Sequence, residues 1–429
     1  MPGVTRRALL GATLAAAAST LLACGRPGSR PDAGGTPRVR VATGPDWTRA
    51  AAVLAAASEA ERYPAEVMTV PAGVAALIDS LLAGTDTTSP DVILVTPAVR
   101  EGRSLSSYYA TSLMLDLGPT LARTGGDATI YPSALADGSF QGRQLVMPLF
   151  RDPLVLFYNA DALAHAGNNP PAADWHVADL INLCARLAAR GTHPLLRSAS
   201  VTTAELLTAF IIGFSGHQVI VPGPTGGSGY VPAFTDAASM AGLSALVTVL
   251  GDVPPPGPNS ALQVFAQGGA AMLFGHYRDV AALNEAIGSL FAWNVAPLPA
   301  FPTGGEQPVQ AEGLAAVTTD PTRRRAAIAF ALFGATQVGQ EALARAGLGV
   351  PASTNLAGSP LWRARTPFLD TDVFVRNTAT DVVVHRALYF LKPQLDEALQ
   401  AALRGVPVAQ AFGAAATASE FTLANWPNP

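Results

Sequence analysis

The chain has 429 residues, of which 49% are hydrophobic and 14% are charged, and its formal net charge at pH 7 is -4. This composition lacks the basic footprint expected of a nucleic-acid-binding protein. The length exceeds that of one typical core and suits two domains.

The N-terminus has the pattern of an export signal. Arg6 and Arg7 precede an apolar stretch, residues 9–22, which is shorter than the roughly 20 residues that a membrane span needs. The stretch ends in Leu-Leu-Ala-Cys-Gly at 21–25, which resembles the lipobox of bacterial lipoproteins. This resemblance implies removal of residues 1–23, lipid attachment at Cys24 and anchoring on the extracytoplasmic face of the cell membrane. The alternative is an ordinary signal peptide with an incidental cysteine.

The residues around this signal add two expectations. Residues 5–10 resemble a twin-arginine export motif, so both general and twin-arginine export stay open. Residues 24–37 are rich in Gly, Pro, Ser and Arg, which predicts a flexible tether. With Cys24 lipidated, Cys184 has no partner for an intrachain disulfide.

Strands and helices are predicted to alternate after the tether. This alternation is typical of α/β lobes with parallel sheets, which bind ligands outside the carboxyl ends of their strands. The predicted elements are a strand over 39–43, a helix over 48–62, a strand over 66–70, a helix over 74–83 and a strand over 91–95.

Cys184 lies in a segment with helical spacing. Apolar residues recur at 177, 180, 181, 184, 187 and 188, on one face of the predicted helix. We therefore interpret Cys184 as a small buried hydrophobic residue and not as a nucleophile. Residues 223–229 and 254–258 are predicted to be loops.

Several segments, taken together and in order, resemble one family. They are Pro-Asp-Val-Ile at 90–93, the glycine-containing approach at 140–148, Leu-Phe-Tyr-Asn-Ala-Asp-Ala-Leu at 156–163, the helix at 175–187, Phe-Ala-Gln-Gly-Gly-Ala-Ala-Met at 265–272, Val-Ala-Pro-Leu-Pro at 295–299, the helix at 321–346 and Gly-Val-Pro at 349–351. This order resembles the sugar-type extracellular solute-binding proteins (family 1) of ABC import transporters, the group that includes maltose-binding protein.

The resemblance implies a two-lobed periplasmic-binding-protein fold (type II) of α/β class. One lobe would hold residues 38–152 and 300–350, and the other 156–296 and 351–429. Three crossings, near Pro153, Pro297 and Gly349, would form a hinge that closes on the ligand. The expected partners are a small polar solute and the membrane subunits of the permease. We expect a monomer without enzymatic activity, cofactor or metal.

Three departures from the family pattern leave the ligand open. Gly269 stands where the family has lysine, Tyr277 where it often has tryptophan, and Glu312-Gly313 where it has two glycines. We expect a saccharide, and the alternative is a glycerophosphodiester or an amino sugar.

Candidate ligand contacts combine aromatic faces with polar groups, since sugars stack on rings and donate hydroxyl hydrogens. For each residue, core packing, a surface ion pair or a loop cap is the alternative. The resemblance and the strand ends indicate Arg151, Asp152, Tyr277, His276, Glu312, Asp46, Trp47, Thr96, Thr203, Ser215, Tyr389 and Lys392.

The sequence contains no complete copy of the enzyme motifs considered. No zinc motif occurs, and Gly-Phe-Ser-Gly-His at 213–217 lacks the last glycine of a nucleophile elbow. The glycines at 347 and 349 follow a predicted helix, with Pro351 inside the would-be nucleotide-binding turn. A lipid-anchored hydrolase and a purely structural lipoprotein remain as alternatives.

Overall fold

The fold was analysed in a computed structural model. It describes residues 38–61, 63–83, 89–95, 113–223, 229–251, 260–304, 307–363, 368–376 and 381–426. The predicted signal peptide and tether, Cys24 and the candidate Thr96 lie outside the described residues. Within the described part, no helix is both long and apolar enough to cross a membrane.

The first sheet forms around β3, Val92–Val95, whose four residues are all buried. The other strands of this sheet are β1 Val39–Thr43, β2 Ala65–Thr69, β6 Met147–Pro153, β13 Gln307–Ala316 and β14 Asp381–Val383. The strands lie in the order β14-β13-β3-β1-β2, and β6 also pairs with β13. β1 is parallel to β2 and β3, as expected, whereas β13 is antiparallel to both β3 and β6. The sheet is therefore mixed, and the expectation of a parallel sheet is wrong for β13 with β3 and β6.

The second sheet consists of the strands β7 Val155–Asn159, β8 Leu195–Arg197, β11 Met272–Gly275 and β12 Trp293–Ala296. Their order is β12-β7-β11-β8. β7 is antiparallel to β11 and β12, and β8 is parallel to β11. The small hairpins are β4–β5, Ser139–Phe140 with Arg143–Gln144, and β9–β10, Ile220–Pro222 with Tyr230–Pro232.

Helices cover both sheets. The α-helices are Thr48–Ala60, Gly73–Leu82, Gly118–Thr124, Pro132–Gly138, Ala160–His165, Val177–Ala189, Thr203–Ser215, Ala237–Leu250, Ala261–Ala266, Val280–Ile287, Pro321–Phe333, Gln337–Ala346, Thr354–Ala357, Pro360–Arg363, Ala387–Phe390, Lys392–Leu403 and Val408–Ala424. Short 3-10 helices occur at Pro45–Trp47, Gly126–Thr129, Tyr277–Asp279 and Thr371–Phe374.

The five elements predicted up to residue 95 and the helix around Cys184 agree with these bounds to within one or two residues. The single helix that the family resemblance implied over 321–346 does not. That segment forms two helices, because the chain turns at Gly334 and restarts at Thr336, whose hydroxyl caps the second helix. Cys184 is buried in the helix Val177–Ala189, as predicted, and burial raises the pKa of its thiol to about 12.

Each sheet carries its own hydrophobic core, which gives the molecule two lobes. Val41 and Phe330 belong to the core of the first lobe, and Leu156 and Phe210 to that of the second. Phe390 packs against buried residues of both lobes. The lobes are therefore in contact at Phe390 as well as through the strands that connect them.

The third predicted crossing does not divide the chain as expected. Val350 and Leu356 pack in the second lobe, whereas Ala352, which lies between them, packs in the core of the first lobe. Residues 381–383 then return to the first sheet, where β14 pairs with Gln307–Val309 of β13. Phe301 also packs in the second lobe, against Phe210. The segments 300–350 and 351–429 thus each contribute to both lobes.

Candidate functional site

Asp152 lies at the end of β6, where the chain leaves the first sheet for the second. The residue is buried, with 3% of its surface exposed. Oδ1 accepts a hydrogen bond of 2.8 Å from the backbone N–H of Tyr277, and Oδ2 lies 3.2 Å from Nε of Arg278. Asp152 therefore holds the turn that follows β11 against the connecting strand.

Glu205 is placed by the start of the helix Thr203–Ser215. Thr202 caps this helix, and Oε2 of Glu205 accepts a hydrogen bond of 2.8 Å from the Thr202 N–H, which completes a capping box. The other carboxylate oxygen, Oε1, lies 3.0 Å from Nε2 of His276. Capping thus fixes a fully buried carboxylate beside a buried imidazole.

Both ring nitrogens of His276 face acceptor oxygens. Nδ1 lies 3.2 Å from the carbonyl oxygen of Pro153 and 3.8 Å from Asp152, while Nε2 faces Glu205. Only the imidazolium can donate from both nitrogens. Burial alone lowers the pKa of His276, but the Glu205 and Asp152 carboxylates outweigh burial and hold the pKa above its usual value. The Glu205 pKa is lowered, because His276 outweighs the effect of burial.

Arg278 joins the two sheets. It follows β11 of the second sheet, and its terminal nitrogens contact Glu312 Oε1 at 2.8 Å and Gln310 Oε1 at 2.6 Å, both on β13 of the first sheet. A register shift between Glu312 and Gly313 interrupts the pairing of β13 with β6, and such bulges redirect side chains. Gly313 is required there, since a Cβ would lie 2.2 Å from the Met147 carbonyl oxygen.

We call these six residues the bridging cluster. They lie at the junction of the two sheets, where all but Arg278 are buried, and they combine acceptors with two cations. The bridging cluster is Asp152, Glu205, His276, Arg278, Gln310 and Glu312.

A smaller polar group lies on the second lobe. The Thr203 hydroxyl donates to Asp396 and accepts a hydrogen bond of 2.9 Å from Arg197, and Lys392 Nζ lies 2.9 Å from Asp396. The structure therefore brings together Thr203 and Lys392, which are far apart in the sequence. The Lys392 side chain is 37% exposed.

Arg151 was predicted to contact the ligand together with Asp152, but the structure places the two side chains apart. Successive residues of a strand point to opposite faces. The Arg151 guanidinium is fully buried, pairs with Asp381 of β14, donates to the Phe374 carbonyl and lies 5.1 Å over the Tyr131 ring. Arg151 is thus a structural residue in this conformation.

Tyr277 and Tyr389 are core residues here. The Tyr277 ring packs edge-on against Trp362 and Phe374, at centroid distances of 5.7 and 5.0 Å, and 5% of the residue is exposed. Tyr389 belongs to the core of the second lobe. Burial of both rings favours the core-packing alternative for Tyr277 and Tyr389.

The remaining described candidates are dispersed. Asp46 is exposed in the turn after β1, and Trp47 is half-buried with its ring 5.4 Å from that of Phe150. Ser215 donates to the Ile211 carbonyl within its own helix. It lies about 18 Å along that helix from Thr203, so the two cannot share one small site.

Sequence reasoning missed Glu205, Arg278 and Gln310. The signal for Glu205 was present, since Thr202 and Glu205 have capping-box spacing. Arg278 directly follows a predicted residue, but its partners Gln310 and Glu312 lie over 30 residues away in sequence. Only the pairing of strands reveals that juxtaposition.

Comparison with known proteins identifies the family. Residues 34–368 match the family model described as bacterial extracellular solute-binding protein. The chain is a bacterial extracellular solute-binding protein. A search of curated proteins found no match.

Solved structures of such solute-binding proteins have the same two-lobed fold. UgpB from Mycobacterium tuberculosis, in complex with glycerophosphocholine, is 19% identical with a TM-score of 0.72, over 91% of this chain and 99% of that chain. Lmo0181 from Listeria monocytogenes, in complex with cycloalternan, is 16% identical with a TM-score of 0.72, over 90% and 98%. The GacH receptor of Streptomyces glaucescens, solved with acarbose, is 18% identical with a TM-score of 0.71, over 91% and 99%. The predicted fold class is confirmed.

Membership of this family places the solute-binding protein outside the cytoplasm. The family and the structural neighbours consist of substrate-binding proteins. In the part of the chain that the structure describes, no three His, Cys, Asp or Glu residues are grouped so as to hold a metal ion.

Proposed function

We propose that this solute-binding protein captures a saccharide or a related polar solute between its two lobes and delivers it to an ABC permease. The observation that carries the proposal is the bridging cluster, which sets hydrogen-bonding groups where the two sheets meet. Arg278 reaches from the second sheet to the first, and its side chain is 21% exposed.

Two further observations support the proposal. The neighbours solved with cycloalternan and with acarbose share the two-lobed fold. Strands that run directly from one sheet into the other, such as β6 into β7 at Leu154, can act as hinges when few residues absorb the motion.

A glycerophosphodiester is the second candidate ligand. Its support is the similarity to UgpB, which was solved in complex with glycerophosphocholine. At 19% identity this similarity extends to the fold alone, so the two ligand classes must be separated by binding measurements.

The anchoring proposal rests on the lipobox-like sequence at 21–25. A diacylglycerol on Cys24 would hold the protein at the outer membrane face, near its permease, and two acyl chains suffice for stable anchoring. Release through an ordinary signal peptide is the competing outcome.

The test is a thermal-shift screen followed by calorimetry on the mature chain. The panel contains glucose, maltotriose, glucosamine, glucose 6-phosphate and glycerophosphocholine. A solute that binds the folded state raises the melting temperature, and chromatography should recover it unchanged. No shift with any solute would contradict the proposal, and turnover would favour the hydrolase alternative.

A further inference from the structure

Arg278 is the most accessible charged residue of the bridging cluster. Its side chain is 21% exposed, whereas the side chains of Glu312 and Asp152 are 1% and 4% exposed. Among the charged side chains of the cluster, Arg278 therefore offers a solute the largest accessible surface.

The guanidinium is held rigidly and still has donors to offer. Gln310 and Glu312 each accept one hydrogen bond, from different terminal nitrogens, and Nε faces Asp152. Each terminal nitrogen of arginine carries two hydrogens. Among the residues that the structure describes, one hydrogen on each terminal nitrogen of Arg278 therefore has no acceptor and can be donated to a solute.

The groups around Arg278 favour neutral solutes over charged ones. An ammonium group has no lone pair with which to accept a hydrogen bond from the guanidinium. A phosphate would add negative charge beside Asp152, Glu205, Asp279 and Glu312, four carboxylates that Arg278 and His276 do not fully neutralise. A neutral hydroxyl or ring oxygen accepts a hydrogen bond without adding charge, so neither penalty applies.

We propose that Arg278 contacts the solute directly and selects neutral hydroxylated solutes over their ammonium and phosphate analogues. The proposal rests on the proposed function and adds the residue that sets charge selectivity. Glu312, Gln310 and Asp152 act as positioning residues that orient the guanidinium.

The experiment compares matched ligands and matched variants by calorimetry. Glucose, glucosamine and glucose 6-phosphate share one ring, and maltotriose and glycerophosphocholine extend the set. Arg278→Met should weaken binding of the best neutral saccharide about tenfold or more, the loss expected for a hydrogen bond to a charged group. It should also shift preference towards the amino sugar, because carboxylates become exposed. Arg345→Met, at an exposed arginine paired with Glu341 on the first lobe, is the control.

A second variant covers the case in which Arg278→Met does not fold. Arg278→Lys keeps the positive charge but loses the planar fork, so it should fold and still bind the neutral saccharide more weakly. Wild-type affinity in Arg278→Lys or Arg278→Met would overturn the proposal. So would a wild-type preference for glucosamine, glucose 6-phosphate or glycerophosphocholine, although the proposed function would then stand. Binding of no solute would overturn the proposed function itself.

Discussion

The pair of His276 and Glu205 makes the sharpest prediction about stability. Unit charges 3.0 Å apart attract by about 5.5 kcal/mol at an effective dielectric constant of about 20. Burial of both groups offsets most of this attraction, so the intact pair adds little net stability. Removal of one partner is different, because the other charge stays buried and uncompensated. His276→Gln or Glu205→Gln should therefore each lower the free energy of unfolding by about 3–5 kcal/mol.

The assay is urea denaturation of the single variants and of the double variant. The double variant should lose less free energy of unfolding than the two single variants lose together, because it contains neither buried charge without its partner. His217→Gln, at an exposed histidine 3.2 Å from Asp236, is the control. Losses below about 1 kcal/mol in both single variants, or additive losses in the double variant, would refute the account of a buried ion pair.

The same pair predicts a pH dependence. The folded-state pKa of His276 is raised above its unfolded value. Its contribution to stability is therefore fully present below the unfolded pKa, about 6.5, and is lost as the pH rises through the folded pKa. Wild-type protein should lose stability on the alkaline side, and His276→Gln should lose less. Parallel stability curves above pH 6.5 would contradict the assignment.

Three further predictions follow from burial and from the N-terminus. Tyr277→Ala should lower the free energy of unfolding by about 3–5 kcal/mol, because its ring packs in the core. An unchanged urea midpoint would contradict core packing and would favour a role of Tyr277 in ligand binding. Arg151→Met should lower the free energy of unfolding by a similar amount, because the Asp381 carboxylate loses its cationic partner. Arg376→Met, at a partly exposed ion pair, should lower it by under about 1 kcal/mol. Equal losses in the two variants would contradict the structural role assigned to Arg151. Cys24→Ala should release the protein from membranes in fractionation, and retention would refute lipid anchoring.

Local sequence patterns predicted elements in both lobes. Val92–Val95 is a short continuous apolar run, and the helix around Cys184 has apolar residues at helical spacing, so both elements can be predicted from a short stretch of sequence. The division of the chain into lobes was harder. β14 pairs with a strand more than 70 residues earlier, and no local signal marks that return.

Three of the residues proposed as ligand contacts lie near one another in the structure. His276 lies beside Asp152, and Arg278 links Asp152 to Glu312. Their side chains bind one another and Arg278, and sequence alone cannot show whether a polar side chain is already satisfied by protein partners. Tyr277 illustrates the same limit, because the aromatic residues that bury its ring lie 85 and 97 positions later in the chain.

Small-angle X-ray scattering of the mature protein tests capture between two lobes most directly. The protein would be measured alone and at saturation with the solute that stabilises it best in the thermal-shift screen. The account predicts a smaller radius of gyration with the solute, because the lobes close on it. An unchanged radius of gyration at proven saturation would contradict capture by lobe closure.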